Sequence, residues 1–539
     1  MIDTKHLGGK MKKNIYLFLL LGITTIWAQD KFTRSYEIPV PQIENTGFGE
    51  IVAGVDWDGD GRKEIYAVNN MMDQGGSEEI PKIYEFEFNP DTGVWDSVWM
   101  ATITDIPRQN SWAAVTYGDW DNDGKPEIIW APANYLGDDN QNPPRILVFE
   151  ARGDGSNGLG IDMFGNSKPN CQWTIINENN VELRPFKIEL ADIDSDGVTE
   201  LCFIDRKKNY WFGVISVSTI PDNGDGSEVW TLEHSGKGLM DATASTFYDF
   251  VVLDNSMYCI QSSGAITIVS YNNGAWDNPV TVAATAPGGS WKSAHVVDID
   301  GDGAKEIVVG GWSSENMFTV LKPDVFEILK AYHVARLNTK GKINGGAVGD
   351  IDQDGKMDIV FGSRGAEPQG AIYRIEYQGG DIGDSTSYTY EIIDSGLVDH
   401  VGQRYDIVKI ANVDDDKYLE VIYTDGNQPN RVPIAILDLE AEVSVNEDFV
   451  PEEFFLSQNY PNPFNPSTTI KFGLNKQAEV SLRIYDVLGR EVAFLINNEV
   501  KAAGTYEVTF NASGLASGTY IYKLTANGQT ISQKMILMK

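Results

Sequence analysis

The stretch that decides the fold is Asp56-Trp57-Asp58-Gly59-Asp60-Gly61-Arg62-Lys63-Glu64. Carboxylates stand at positions 1, 3, 5 and 9, and a glycine at position 6. The same offsets return at Asp119, Asp121, Asp123, Gly124 and Glu127, and at Asp192, Asp194, Asp196, Gly197 and Glu200. Two further copies are Asp298, Asp300, Asp302, Gly303 and Glu306, then Asp350, Asp352, Asp354, Gly355 and Asp358. A sixth is worn: Asn412, Asp414, Asp416 and Glu420, with Lys417 in place of the glycine. Four carboxylates this close repel one another unless a cation lies among them. Ca²⁺ accepts six to eight oxygens in a flexible shell, and alternate residues of a tight loop can aim at one centre. The glycine permits the left-handed bend that wraps the loop. Position 7 (Arg62, Lys125, Val198, Ala304, Lys356) would add its backbone carbonyl, and the acid at 9 would close the shell. A solvated acidic turn explains one copy, but not five with the same offsets. Calcium is therefore expected in five loops, with the worn copy as a sixth candidate.

The loops begin as an EF-hand does, yet the last acid comes early and no helix follows. Each runs instead into a β-branched or aromatic segment: EIYAV, EIIWA, ELCFI, EIVVG, DIVFG and EVIYT. An apolar stretch also precedes each, so each loop joins two strands. Successive first ligands advance by about 50–70 residues, a β-repeat of four strands, except between Asp192 and Asp298, where the step doubles. A vestigial unit fits the gap: Phe247–Leu253, a turn at Asp254-Asn255-Ser256, then Met257–Ile260. That makes seven units. The last has three strands, at 404–411, 419–425 and 432–438, and an orphan strand lies at 32–40. Pairing the two would close a ring and remove its edges. The expected fold class is all-β: a seven-bladed β-propeller over residues 29–440, followed by a small Ig-like β-sandwich.

These units resemble FG-GAP (VCBS) repeats, as in the propeller of integrin alpha subunits and in many secreted bacterial proteins. The resemblance implies calcium in the loop between a blade's first two strands, with all such loops on one face of the disc.

The formal charge of −36 excludes generic nucleic-acid binding, which needs a basic footprint. Lys12 and Lys13 precede the apolar run Ile15–Ile26, and Ala28 offers a cleavage site before Gln29, so residues 1–28 read as a secretory signal peptide with Met11 as the true start. The run is too short to span a bilayer comfortably, and no later segment is long enough. Cys171, Cys202 and Cys259 make no framework; they read as buried free thiols, or as one disulfide in an oxidising compartment.

After an acidic linker at 441–453, residues 454–539 hold six strand-like runs separated by turn signals, which describes a small β-sandwich. Gln458–Pro466 (QNYPNPFNP), Ile484–Arg490 (IYDVLGR), Gly518-Thr519-Tyr520 and Lys534–Lys539 (KMILMK) are similar to a type IX secretion C-terminal sorting domain. That resemblance implies a cargo of the type IX machinery, released or held at the outer cell surface.

No nucleophile elbow, zinc-binding HExxH or phosphate loop occurs. His234, His295, His333 and His400 have no partner constellation. The segments leading into the inner strands carry Arg108 and Trp112, Arg184, Trp291 and Lys292, Lys340 and Lys342, then His400 and Arg404. Basic and aromatic groups on the face away from the loops suit an anionic ligand or a sugar. Glu189, His295 and Lys409 share the position three before the first ligand, where they approach the channel. Three functions follow. The first is a non-catalytic, calcium-stiffened adhesion protein whose ligand face (Trp112, Arg184, Trp291, Lys292, Lys342, His400, Arg404) binds a glycan or protein. The second is a uronate lyase using His400 with Arg404. The third is a purely structural surface protein.

Overall fold

The protein is represented by a computed structural model that describes residues 32–41, 47–69, 81–103, 113–132, 144–163, 166–174, 183–206, 211–239, 245–396 (except 284, 314–315, 325–326, 339 and 368), 404–439 (except 415 and 427–431) and 454–539 (except 460, 502–503 and 527). The expected signal peptide, the linker, Arg108, Trp112 and His400 lie outside them. The chain divides into two compact units, Met1–Leu439 and Glu440–Lys539. It is all-β: among the described residues the one helical element is a 3-10 turn, Ser385–Ser387. No helix among them is long and apolar enough to cross a membrane.

The first unit holds seven antiparallel sheets of four or five strands among its described residues, and a short ribbon pairing Ile161–Met163 with Asn166–Lys168. Apart from the N-terminal strand and the short strand Val280–Val282, the strands of a sheet lie in sequence order. The first sheet is Phe48–Val55, Glu64–Asn69, Lys82–Asn89 and Val94–Thr102. The next five begin with Ala114–Gly118, Pro185–Ala191, Phe247–Leu253, His295–Val297 and Lys342–Gly349. The last joins Val408–Ala411, Glu420–Thr424 and Ile434–Leu439 to the N-terminal strand Phe32–Ile38. The orphan strand expected from the sequence thus pairs where expected, Phe32 opposite Leu439 and Ile38 opposite Ile434.

The first strands pack side by side in sequence order, and Val408–Ala411 returns to Phe48–Val55. The second strands are buried along almost their whole length because their runs are apolar on both faces. Apolar clusters bridge neighbouring sheets: Trp120 and Ile129 meet Ile188 and Phe203, while Val308 and Phe318 meet Phe361 and Tyr373. Four first strands are bulged near their start, between Phe48 and Ile51, Pro185 and Lys187, Phe247 and Asp249, and Asn344 and Gly346. All three cysteines are buried and unpaired, as the thiol reading had it.

The second unit has a three-stranded sheet (Phe455–Leu456, Ser467–Leu474, Gly504–Asn511) and a four-stranded sheet (Glu491–Lys501, Ala478–Asp486, Gly518–Ala526, Gln529–Leu537). Ile470 and Phe472 of the first share one apolar core with Leu482, Ile484, Tyr522 and Leu524 of the second. The segment 458–466 straps the last strand: Phe464 N–H donates to Ile536 O and Met538 N–H to Phe464 O, each at 3.0 Å.

Candidate metal centres

Each acidic loop joins the first two strands of its sheet, and its own backbone shapes the carboxylates. The position 7 amide donates to the position 5 carboxylate in all six copies, from Arg62 to Asp60 at 2.8 Å through Tyr418 to Asp416 at 2.6 Å. The glycine at position 6 has φ between 87° and 95° in the five full copies. In four of them its N–H reaches back to the first aspartate, at 3.0–3.1 Å. Position 4 is left-handed as well, at Gly59, Asn122, Ser195, Gly301 and Gln353. That second bend escaped the sequence reading because five positions hold four residue types.

The acid at position 9 is the buried member. One of its oxygens accepts the amide of position 2, as in Trp57 to Glu64 and Trp120 to Glu127, at 2.9 and 2.7 Å. The other oxygen has no hydrogen-bond partner in Glu64, Glu127, Glu200 and Glu420. A buried acceptor left bare is costly. Burial first, then the neighbouring carboxylates, pushes Glu64, Glu200 and Glu420 up to about 8 and Glu127 to about 9. A divalent cation would satisfy the bare oxygen and remove the repulsion. Asp119, Asp121, Asp123 and Glu127 bring one oxygen each within 4.8 Å of one another, as do Asp56, Asp58 and Glu64, and Asp192, Asp194 and Glu200. These loops fit calcium. At 298–306 Asp298 Oδ1 is also bare, although Lys322 Nζ stands 2.7 Å from Glu306 Oε1.

Two loops differ. At 412–420 the Asn412 amide donates to the carbonyls of Asp416 and Tyr418, at 3.0 and 3.3 Å, which occupies the position 7 oxygen. At 350–358 both oxygens of Asp358 are taken, one by Ile351 N–H and one by Arg374. A cross-strand pattern also emerged: where position 7 is basic, a glutamate lies across from position 9. Arg62 pairs with Glu87, Lys125 with Glu150 and Lys356 with Glu376.

Where the first strands meet, a cavity of about 310 Å³ is lined by Glu50, Thr116, Glu189, His295 and Lys409, with Lys187 and Lys292. The three residues at the shared register position, Glu189, His295 and Lys409, do reach it. Its three lysines are each held by a carboxylate. Lys292 pairs with Glu50 and donates to Ala113 O, Lys409 lies 2.9 Å from Glu50, and Lys187 reaches Asp249 at 2.7 Å. Burial, aided by Lys187, pushes His295 down to about 3, so its ring is neutral.

The expected ligand face needs correction. Arg184, Trp291 and Lys292 are buried, not set on an open rim, because the indole packs among aromatic rings and the ammonium turns inward to Glu50. Arg404 lies 3.8 Å from Asp406. Lys342 remains partly open, with its Nζ 4.1 Å from the Trp312 ring. Trp312 stacks on Trp291 with centroids 5.0 Å apart, and Tyr248 lies 5.4 Å from Trp312 with the Arg206 guanidinium 5.5 Å from the Tyr248 ring. Trp312, Tyr248 and Arg206 are partly exposed, and the sequence reading missed all three. Gly311-Trp312 follows the second strand directly, which was legible; the bulge that turns out Tyr248 was not.

Residues 56–130 match the FG-GAP-like repeat, and residues 458–538 match the secretion system C-terminal sorting domain. No curated protein matches the chain. Similar solved structures include the N-terminal domain of Nup159 (TM-score 0.38, 10% identity, 77% of this chain and 97% of that one). The periplasmic gluconolactonase PpgL of Pseudomonas aeruginosa is another (TM-score 0.38, 14% identity, 64% of this chain and 85% of that one). The chain thus carries an FG-GAP-like repeat and a C-terminal sorting domain, and the latter sends it by type IX secretion to the cell surface or the extracellular space.

Proposed function

We propose that the chain is a non-catalytic surface or secreted protein that recognises an anionic glycan, on a seven-bladed β-propeller stiffened by calcium. Residues 1–28 act as its cleaved leader, 29–440 as the propeller, 441–453 as a linker, and 454–539 as an Ig-like sorting domain. Seven sheets whose first strands return on themselves support the blade count. Bare carboxylate oxygens support calcium at 56–64, 119–127 and 192–200, and at 298–306 once Lys322 swings aside. Extracellular modules use sites of about 10⁻⁴–10⁻³ M, an affinity suited to this address.

The observation that carries the binding role is the cluster of Trp312 and Tyr248 flanked by Lys342 and Arg206, at the strand ends away from the loops. Aromatic faces stack on sugar rings, and the two cations meet a carboxylate or sulfate. A glycan array with the purified protein tests the reading. Acidic glycans should bind, and Trp312→Ala or Lys342→Ala should weaken them at least about tenfold, the loss of one aromatic or cationic contact. Binding indifferent to both changes, or the ultraviolet absorbance of an unsaturated uronate product, would sink it.

A further inference from the structure

Resting on the calcium reading above, we propose that Arg374 is a built-in cation that closes the loop 350–358, so that this loop takes no divalent ion while those at 56–64, 119–127, 192–200 and 298–306 do. Arg374 comes from the third strand of its sheet, opposite Val360 and two residues beyond the acid at position 9. Its Nε donates to Asp358 Oδ1 at 2.6 Å, and Nη2 to Asp352 Oδ2 at 2.7 Å and Glu376 Oε2 at 2.9 Å. Position 3 and position 9 are thereby bridged by a guanidinium. The oxygen it occupies on Asp358 is the counterpart of the one that Glu64, Glu127, Glu200 and Glu420 leave bare.

The same register position elsewhere holds no base. It is Glu85 opposite Tyr66, Val148 opposite Ile129, Val214 opposite Cys202, Val320 opposite Val308 and Ile436 opposite Ile422. Position 9 is also shorter here, an aspartate where the other five copies have glutamate. A metal ion would have to share its carboxylates with a second cation or expel it. Arg374 is 5% exposed, with its guanidinium 5.8 Å from the Phe32 ring, so displacement from Asp352 and Asp358 strips a buried charge of two carboxylate partners and leaves it only Glu376 and Glu391. Lys322, above Glu306, is the contrasting case. Its side chain is 29% exposed on a flexible stem and can swing into water when an ion arrives.

The location gives the substitution a purpose. Phe32 belongs to the strand that pairs with Ile434–Leu439, so the sheet beside the closing seam is held by an internal charge that does not depend on external calcium. The test is bound calcium, counted by atomic emission after equilibrium dialysis of the purified protein, for wild type, Asp56→Asn, Asp350→Asn, Arg374→Gln and the Asp350→Asn/Arg374→Gln double variant. Asp350→Asn should leave the wild-type count unchanged. Arg374→Gln should add one ion, which the double variant loses again. A lower count in Asp350→Asn, or no gain in Arg374→Gln, overturns the proposal. Asp56→Asn should lower the count by one; if it does not, calcium at 56–64 falls while the other two variants still judge Arg374. Should Arg374→Gln fail to fold, hydrogen exchange on the wild type decides. Chelation should deprotect 56–64 and 119–127 but not 350–358, and equal deprotection of all three refutes the idea.

Discussion

Glu50 is the residue on which two sheets' charges converge. Burial pushes its carboxyl up, but the Lys292 and Lys409 ammoniums outweigh that and hold it down at about 2. A carboxyl depressed in the folded state contributes stability that is present above its unfolded value and lost as pH falls through the folded one. The window runs from about 4.5 down to about 2. Glu50→Gln should cost about 3 kcal/mol at neutral pH and show no such acid loss, because lowering a pKa by one costs the protonated form about 1.4 kcal/mol. Urea denaturation at a series of pH values between neutral and strongly acid checks it. Parallel curves for the two proteins would mean that the lysines do not discriminate the ionised form.

At the scale of the element, left-handed residues fall into two kinds, and the difference predicts which tolerate change. Gly345 forms the bulge at the start of its strand, with φ 62°, and its N–H donates to Trp291 O at 2.9 Å. A Cβ there would meet Asp406 O at 2.6 Å, so backbone strain and a steric clash add. Gly345→Ala should lose about 2–4 kcal/mol. Gly301, at position 4 of an acidic loop, has φ 70°, and a Cβ added there would meet nothing within 4 Å, while Asn122 holds the equivalent place in another copy. Gly301→Asn should therefore change stability by less than about 0.5 kcal/mol. Thermal melts of the two variants in calcium separate the effects, and equal losses would show that strain alone governs both.

At the scale of the whole molecule, the first unit has its first and last strands in one sheet, so ring closure depends on segments some four hundred residues apart in sequence. Arg34 reinforces the seam, 2.8 Å from both Asp394 and Asp425. Removing residues 32–38 would bare Ile434–Leu439, whose sequence IAILDL is almost wholly apolar. An unpaired apolar edge templates association. The truncated protein should aggregate or form higher oligomers in light scattering, where the full chain does not. A soluble, monomeric truncation would show that the seam is dispensable.

The sequence by itself determined the repeat, the strand on either side of each acidic loop, the pairing of the orphan strand with the last unit, and the sorting domain. All of these rest on local spacing: carboxylates at fixed offsets, a glycine for the bend, period and turn chemistry. The partners that neutralise each loop were decided only by the tertiary structure. Arg374 and Lys322 sit a strand away at positions set by register, and nothing in a nine-residue pattern fixes what faces it from there. The rim misread at Trp291 and Lys292 has the same origin. Whether a tryptophan or a lysine points to water or into the core depends on the neighbouring sheet, and here Glu50 and the aromatic rings of other sheets turned both inward.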